Sequence, residues 1–104
     1  MEFNENTNHS ISLAEAAAMT KRYRQAAGQG AIIASAFNKK AFQDILDQEK
    51  CTGIRMYYAK QDDGKSTLVL VGIKENGDDI YDGELAEWSG NCPPNCGASN
   101  PLNS

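Results

Sequence analysis

The residues with the most chemical reach are three cysteines and a single histidine. Two of the cysteines close the run Cys92-Pro-Pro-Asn-Cys96. A spacing of four can be bridged as a disulfide if the chain turns and brings the Cα atoms within about 7 Å, whereas a Pro-Pro pair favours an extended path that leaves two plain thiols. Thiol oxidoreductases use a two-residue spacer at a helix N-terminus, which this run lacks. Joined by Cys51 and His9, the pair would make a Cys₃His set, enough for a closed tetrahedral zinc site, although only Cys92 and Cys96 are local to each other. Thiols, a disulfide and structural zinc are therefore the states open to Cys92 and Cys96. No cofactor is expected, with zinc the possibility these cysteines leave open.

Other candidate chemistry weakens on inspection. The run Ala59-Lys-Gln-Asp-Asp-Gly64-Lys65-Ser66 imitates the end of a phosphate-binding loop. It carries Ala59 in place of the first glycine, and it joins two strands where a helix N-terminus would have to hold the phosphates. The acids of Asp78-Asp-Ile-Tyr-Asp-Gly-Glu84 lack the alternating oxygen ligands of a calcium loop. Nothing apolar surrounds Asp78, Asp79 or Asp82 to set one of them apart as a general acid. His9 lies in a polar arm, with no nucleophile elbow and no Cys/His/Asn set in a recognisable context. These readings favour a non-enzymatic protein; an enzyme would need a pocket lined by Arg55, Tyr57 and the acids of a third strand. Arg55 and Tyr57 are instead the expected interaction surface, because Arg and Tyr are enriched at binding hot spots. Tyr58, which alternates with Ile54 and Met56, is expected in the core.

The elements that must position these residues centre on a β-hairpin over residues 53–73. Its second arm is apolar on both faces, with Val69, Val71 and Ile73 pointing one way and Leu68 and Leu70 the other, as a mid-sheet strand requires. Asp62-Asp63-Gly64-Lys65 supplies the positive φ of a short hairpin loop. Asn76-Gly77 signals a second hairpin turn, so a third strand is expected over about 79–85, with Ile80 and Tyr81 inward and its acids guarding an edge. Upstream, Ser12-Leu-Ala-Glu15 is a capping box opening a helix over 13–27, with a stripe of Leu13, Ala16, Ala17, Thr20, Tyr23 and Ala27, ended by Gly28-Gln-Gly30. Residues 31–37 read as extended. Asn38 caps a second helix to about Glu49, whose Ala41, Phe42, Ile45 and Leu46 should cover the sheet. Burying those four is worth on the order of 6 to 8 kcal/mol before entropy, which makes Phe42 and Leu46 sensitive positions.

A chain of 104 residues with net charge −4 is one domain able to fold without staples. No Lys or Arg follows Lys74, and Lys21, Arg22 and Arg24 fall in the last turns of the first helix, where cations complement the macrodipole. A nucleic-acid partner is therefore not expected. No segment approaches the roughly 20 apolar residues of a membrane span, and the opening residues carry no export pattern, so no membrane partner and a cytoplasmic location are expected. In that reducing compartment the cysteines would mostly stay thiols. Residues 1–10 read as a flexible arm, 11–88 as a single domain and 89–104 as an aperiodic tail.

The segments Gly53-Ile-Arg-Met-Tyr-Tyr58, Asp63-Gly-Lys-Ser-Thr-Leu-Val-Leu-Val-Gly72, and Cys92-Pro-Pro-Asn-Cys96 followed by Pro101-Leu-Asn-Ser104 resemble a family of small bacterial proteins of uncharacterised function. The resemblance implies that tail and hairpin belong together, and it carries no catalytic residue across. The expected fold is α+β: two helices on one face of a small antiparallel meander of three strands, or four if residues 31–37 join. The expected function is a protein-interaction or assembly module, with a protein partner or self-association. A zinc-binding or thiol-redox-responsive protein is the alternative.

Overall fold

In the computed structural model, which describes residues 3, 4 and 6–104, the chain runs α1 (Leu13–Ala27), β1 (Ala34–Ala36), α2 (Lys39–Leu46), β2 (Gly53–Lys60), β3 (Ser66–Ile73), β4 (Leu85–Ala86) and β5 (Gly90–Cys92). The fold is α+β, with a three-stranded antiparallel sheet ordered β2-β3-β4 and a two-stranded one of β1 and β5.

The hairpin forms as its pattern dictates. β2 and β3 pair from Gly53 opposite Ile73 to Lys60 opposite Ser66, and Gly64, at φ +84°, closes the loop beside the Gln61 N–H to Lys65 carbonyl bond of 2.9 Å. Directly opposed residues share a face. Arg55 and Tyr57 thus lie with Val69, Val71 and Ile73, and Ile54, Met56 and Tyr58 with Leu68, Leu70 and Gly72. Leu70, Val71 and Ile73 are buried, which makes β3 the centre of the core.

α2 covers the Leu70 face near the Gly53–Ile73 end. A Cβ on Gly72 would stand 2.9 Å from Cys51 Sγ and 3.3 Å from Ile45 Cγ2, so the helix approaches there because the strand carries no side chain. Asn38 Oδ1 caps it, accepting the Ala41 N–H at 2.9 Å. The helix stops at Leu46, short of the expected Glu49, because Gln48 Nε2 donates to the Ile45 carbonyl at 2.8 Å where another turn would have supplied a backbone N–H. Ile45 alone of its face is fully buried, Phe42 is half-buried edge-on to Phe37, and Leu46 is 45% exposed, so the sensitive position is Ile45 and not Leu46.

α1 begins at its capping box, where Ser12 Oγ accepts the Glu15 N–H at 3.1 Å. The Glu15 carboxylate receives the Ser12 hydroxyl at 3.2 Å, not the Ser12 amide the motif predicts. Ala16, Ala17 and Thr20 are half-buried, while Leu13, Tyr23 and Ala27 of the expected stripe are exposed. The helix is held from its last turns, where Arg24 donates to the carbonyl oxygens of Leu102 at 2.5 Å and Ser104 at 2.6 Å.

Two expectations about strands are corrected. Residues 31–37 are extended, but β1 is not a fourth strand of the meander; it pairs with β5, Ala34 opposite Cys92 and Ala36 opposite Gly90, within the segment expected to be an aperiodic tail. The third strand is also broken. The Asn76-Gly77 turn forms, with Gly77 at φ +91°, and Asp79 bridges Ile73. The chain then loops out, exposing Tyr81, before Leu85 and Ala86 rejoin opposite Val71 and Leu70. Gln48 Oε1 holds this loop by accepting the Glu84 N–H at 2.8 Å. In the N-terminal arm, expected to be disordered or weakly docked, Phe3 donates its N–H to the Glu75 carbonyl at 2.7 Å. Met1, Glu2 and Glu5 of that arm lie outside the described residues.

Candidate interaction surface

The cysteine set does not assemble as a metal site. Cys92 and Cys96 form a disulfide, with Cα atoms 4.7 Å apart. The turn that permits it is made by the Asn95 N–H donating to the Asn91 carbonyl at 2.8 Å and the Cys96 N–H to the Pro94 carbonyl at 3.0 Å. Cys51 is a free thiol, its Sγ 3.2 Å from the Gly53 carbonyl, and His9 is exposed in the arm. Among the described residues no three His, Cys, Asp or Glu side chains converge on a metal position. The expected zinc set is thus dissolved: two of its thiolates are consumed by each other.

Arg55 and Tyr57 share a face, as alternation required, but their polar ends are turned inward on Asp79. Arg55 Nη1 donates to Asp79 Oδ1 at 2.5 Å and to the Gly77 carbonyl at 3.0 Å, and the Tyr57 hydroxyl donates to Asp79 Oδ2. The hydrogen bond to Asp79 raises both groups above their ordinary pKa values, holding Arg55 charged and Tyr57 neutral. This triad clamps the second turn to β2. It brings together the guanidinium, phenol and third-strand acid that a pocket would have needed, but they bind one another and leave an interaction surface only in the half-exposed Tyr57 ring.

No family model, curated protein or solved structure matches the chain. Its surface must therefore be read from its own geometry.

The most open part of the sheet is the outer edge of β2. The Gln61–Lys65 bond makes the odd-numbered residues of β2 the ones bonded to β3, because antiparallel ladders alternate. The N–H and C=O groups of Ile54, Met56, Tyr58 and Lys60 accordingly point away from β3, and none of them has a partner among the described residues outside the ladder. Tyr58, expected in the core, is 94% exposed, with Met56 half-exposed beside it. Element lengths explain this. Eight residues of helix reach about 12 Å, whereas the eight residues of β2 span about 26 Å, so α2 cannot cover the loop end of the strand. Even the expected helix to Glu49, at about 17 Å, would have fallen short of the strand.

At the same end, a polar seam joins the two sheets. Thr67 Oγ1 donates to Glu87 Oε1 at 2.8 Å, Gln61 Nε2 donates to the same oxygen at 3.2 Å, and Ser89 Oγ donates to Asn91 Oδ1 at 2.5 Å. Ser35 Oγ reaches Asn91 Oδ1 at 3.3 Å from β1. The Thr67 hydroxyl holds Glu87 below the usual carboxylate range against partial burial, with Gln61 and the Trp88 N–H helping. Next to Glu87, Trp88 turns the corner between sheets at φ +60° and is 87% exposed. Sequence reasoning missed Thr67, Glu87 and Trp88 as a group because they share no local motif.

Proposed function

We propose that the chain is a non-enzymatic assembly module that self-associates by antiparallel pairing of β2 with β2 of a second copy. The observation that carries this reading is the eight-residue, unbroken, proline-free outer edge of β2, with Met56, Tyr57 and Tyr58 exposed along it. Such an edge is a template for strand addition. Two-fold pairing about Tyr57 sets Ile54 against Lys60, Arg55 against Ala59 and Met56 against Tyr58, which opposes no like charges and gives sulfur–aromatic contacts on one face. Of the acids beyond Lys74, Asp79 is engaged by Arg55 and Tyr57 and Glu87 by Thr67 and Gln61, so both are held on the sheet face and not at the outer edge of β2. This acidic half also argues for a protein partner over nucleic acid, and among the described residues no helix is long and apolar enough to cross a membrane.

Sedimentation at about 100 µM tests the reading, a concentration at which interfaces of micromolar affinity are occupied. Wild type should sediment as a dimer, and Met56→Lys together with Tyr58→Lys should be monomeric and folded. A monomeric wild type, or a variant that dimerises equally well, would overturn it.

The disulfide favours a second reading, a thiol-redox-responsive protein. Cys92 is buried in β5 while Cys96 is exposed, so exchange with an external dithiol, which becomes oxidised as the pair is reduced, would begin at an accessible sulfur. The disulfide also weighs toward an oxidising compartment over the cytoplasm that the opening residues implied. Mass spectrometry with and without reductant, joined to amide exchange in β1 and β5, tests it: gain of two hydrogens with loss of β1–β5 protection is expected, and unchanged protection would leave the disulfide a passive staple.

A further inference from the structure

Beside the seam lies an open groove of about 510 Å³ lined by Ala59, Lys60, Asp62, Asp63, Val69 and the Glu87–Trp88 pair. Three properties coincide there. Its floor is apolar, from Ala59 and Val69. One of its carboxylates, Glu87, is fixed through Oε1 by Thr67 and Gln61, and no cationic side chain pairs with it among the described residues. Its rim carries the protein's only tryptophan, exposed and held in a left-handed backbone conformation that a bulky residue rarely adopts. Lys60 is the single base against Asp62, Asp63 and Glu87, so the lining is net negative.

We propose that this groove binds an arginine side chain presented by a partner polypeptide. The guanidinium would lie on the Trp88 ring, one of its N–H groups would meet Glu87 Oε2, and its methylene stem would cover Ala59 and Val69. Arginine fits better than lysine because the planar guanidinium stacks on an indole while still donating in its own plane to the Glu87 oxygen that Thr67 and Gln61 leave free. A neutral sugar could use the ring but not the surplus of negative charge. The site is on the sheet face and takes Ala59 and Lys60 from β2, so the peptide titration is run on the monomeric Met56→Lys, Tyr58→Lys variant as well, where failure of arginine binding and failure of strand pairing are read separately.

The sole tryptophan reports on its own site. Titrating the intact protein with a capped Gly-Arg-Gly peptide should change Trp88 fluorescence saturably, with a Kd of about 1 mM that weakens as salt is added. The matching citrulline peptide, equal in shape but uncharged, should bind at least about tenfold more weakly. Glu87→Gln should lose about tenfold in affinity for the arginine peptide; since Glu87 also belongs to the seam, Asp62→Asn with Asp63→Asn, both exposed, provides a fold-neutral variant that should weaken binding about twofold to threefold. Equal responses to the arginine and citrulline peptides, or no saturation by about 10 mM peptide, would overturn the proposal. So would full affinity in both variants.

Discussion

β2 and β4 flank the same central strand, and they manage their outer edges in opposite ways. β4 is two residues long, preceded by a looped-out stretch pinned by Gln48, and surrounded by Asp79, Asp82, Glu84 and Glu87. Each of these features blocks a further strand from adding. β2 runs eight residues without a bulge or proline, with charge only at Arg55 and Lys60, and Arg55 is already paired with Asp79. One sheet therefore presents a guarded edge and an open one. The contrast teaches that openness here is local to β2, since the same chain closes its other edge with short length, acids and a loop.

The comparison breaks most severely if the strand common to both edges fails. Leu70→Ala, at a fully buried position between β2 and β4, should cost about 3 kcal/mol in chemical denaturation, with amide protection lost from both strands together. Loss from β4 alone would mean that the edges are independent units. Next in size, Gly64→Ala should cost about 1 kcal/mol, because φ +84° is strained for any side chain while open space surrounds the site. It should loosen the β2 edge and leave the β4 loop unchanged by amide exchange.

Two smaller effects follow from titration. The Tyr57 hydroxyl is raised above its ordinary value by donating to Asp79, so its contribution to stability is complete below the ordinary tyrosine range near pH 10 and is lost as pH rises through the raised value. Asp79→Asn should bring Tyr57 back toward that range in an absorbance titration and flatten the alkaline loss of stability. Glu87 is lowered, chiefly by Thr67; its contribution is present above the ordinary carboxylate range and lost as pH falls through the lowered value. Thr67→Val should return the Glu87 titration upward in a carboxyl-detected NMR experiment. A Glu87 titration that does not move would show that Gln61 and the Trp88 N–H suffice to order it.

Local features were legible in advance. The Ser12 and Asn38 caps, the Gly64 and Gly77 turns, the buried run of β3 and the apolar face of α2 all depend on residues a few positions apart, where backbone geometry fixes which side chains meet. Arg55 and Tyr57 were correctly placed on one face by period-two alternation, but their engagement with Asp79 was not visible. Tyr58 was misplaced because alternation says which side chains share a face and not whether anything covers that face.

By itself, then, the sequence determined the hairpin, the two helices with their starts, the central position of β3 and the acidic character of the far edge. Tertiary structure alone decided that β1 pairs with β5, that Cys92 bonds Cys96 while Cys51 and His9 stay apart, and that Thr67, Glu87 and Trp88 meet beside a groove. The physical reason is range. Caps, turns and alternation are set by steric and hydrogen-bonding rules within one or two turns of chain, whereas β1 with β5 and Thr67 with Glu87 join segments far apart in sequence, and the Cys92–Cys96 turn, although local, could have run extended through Pro93 and Pro94.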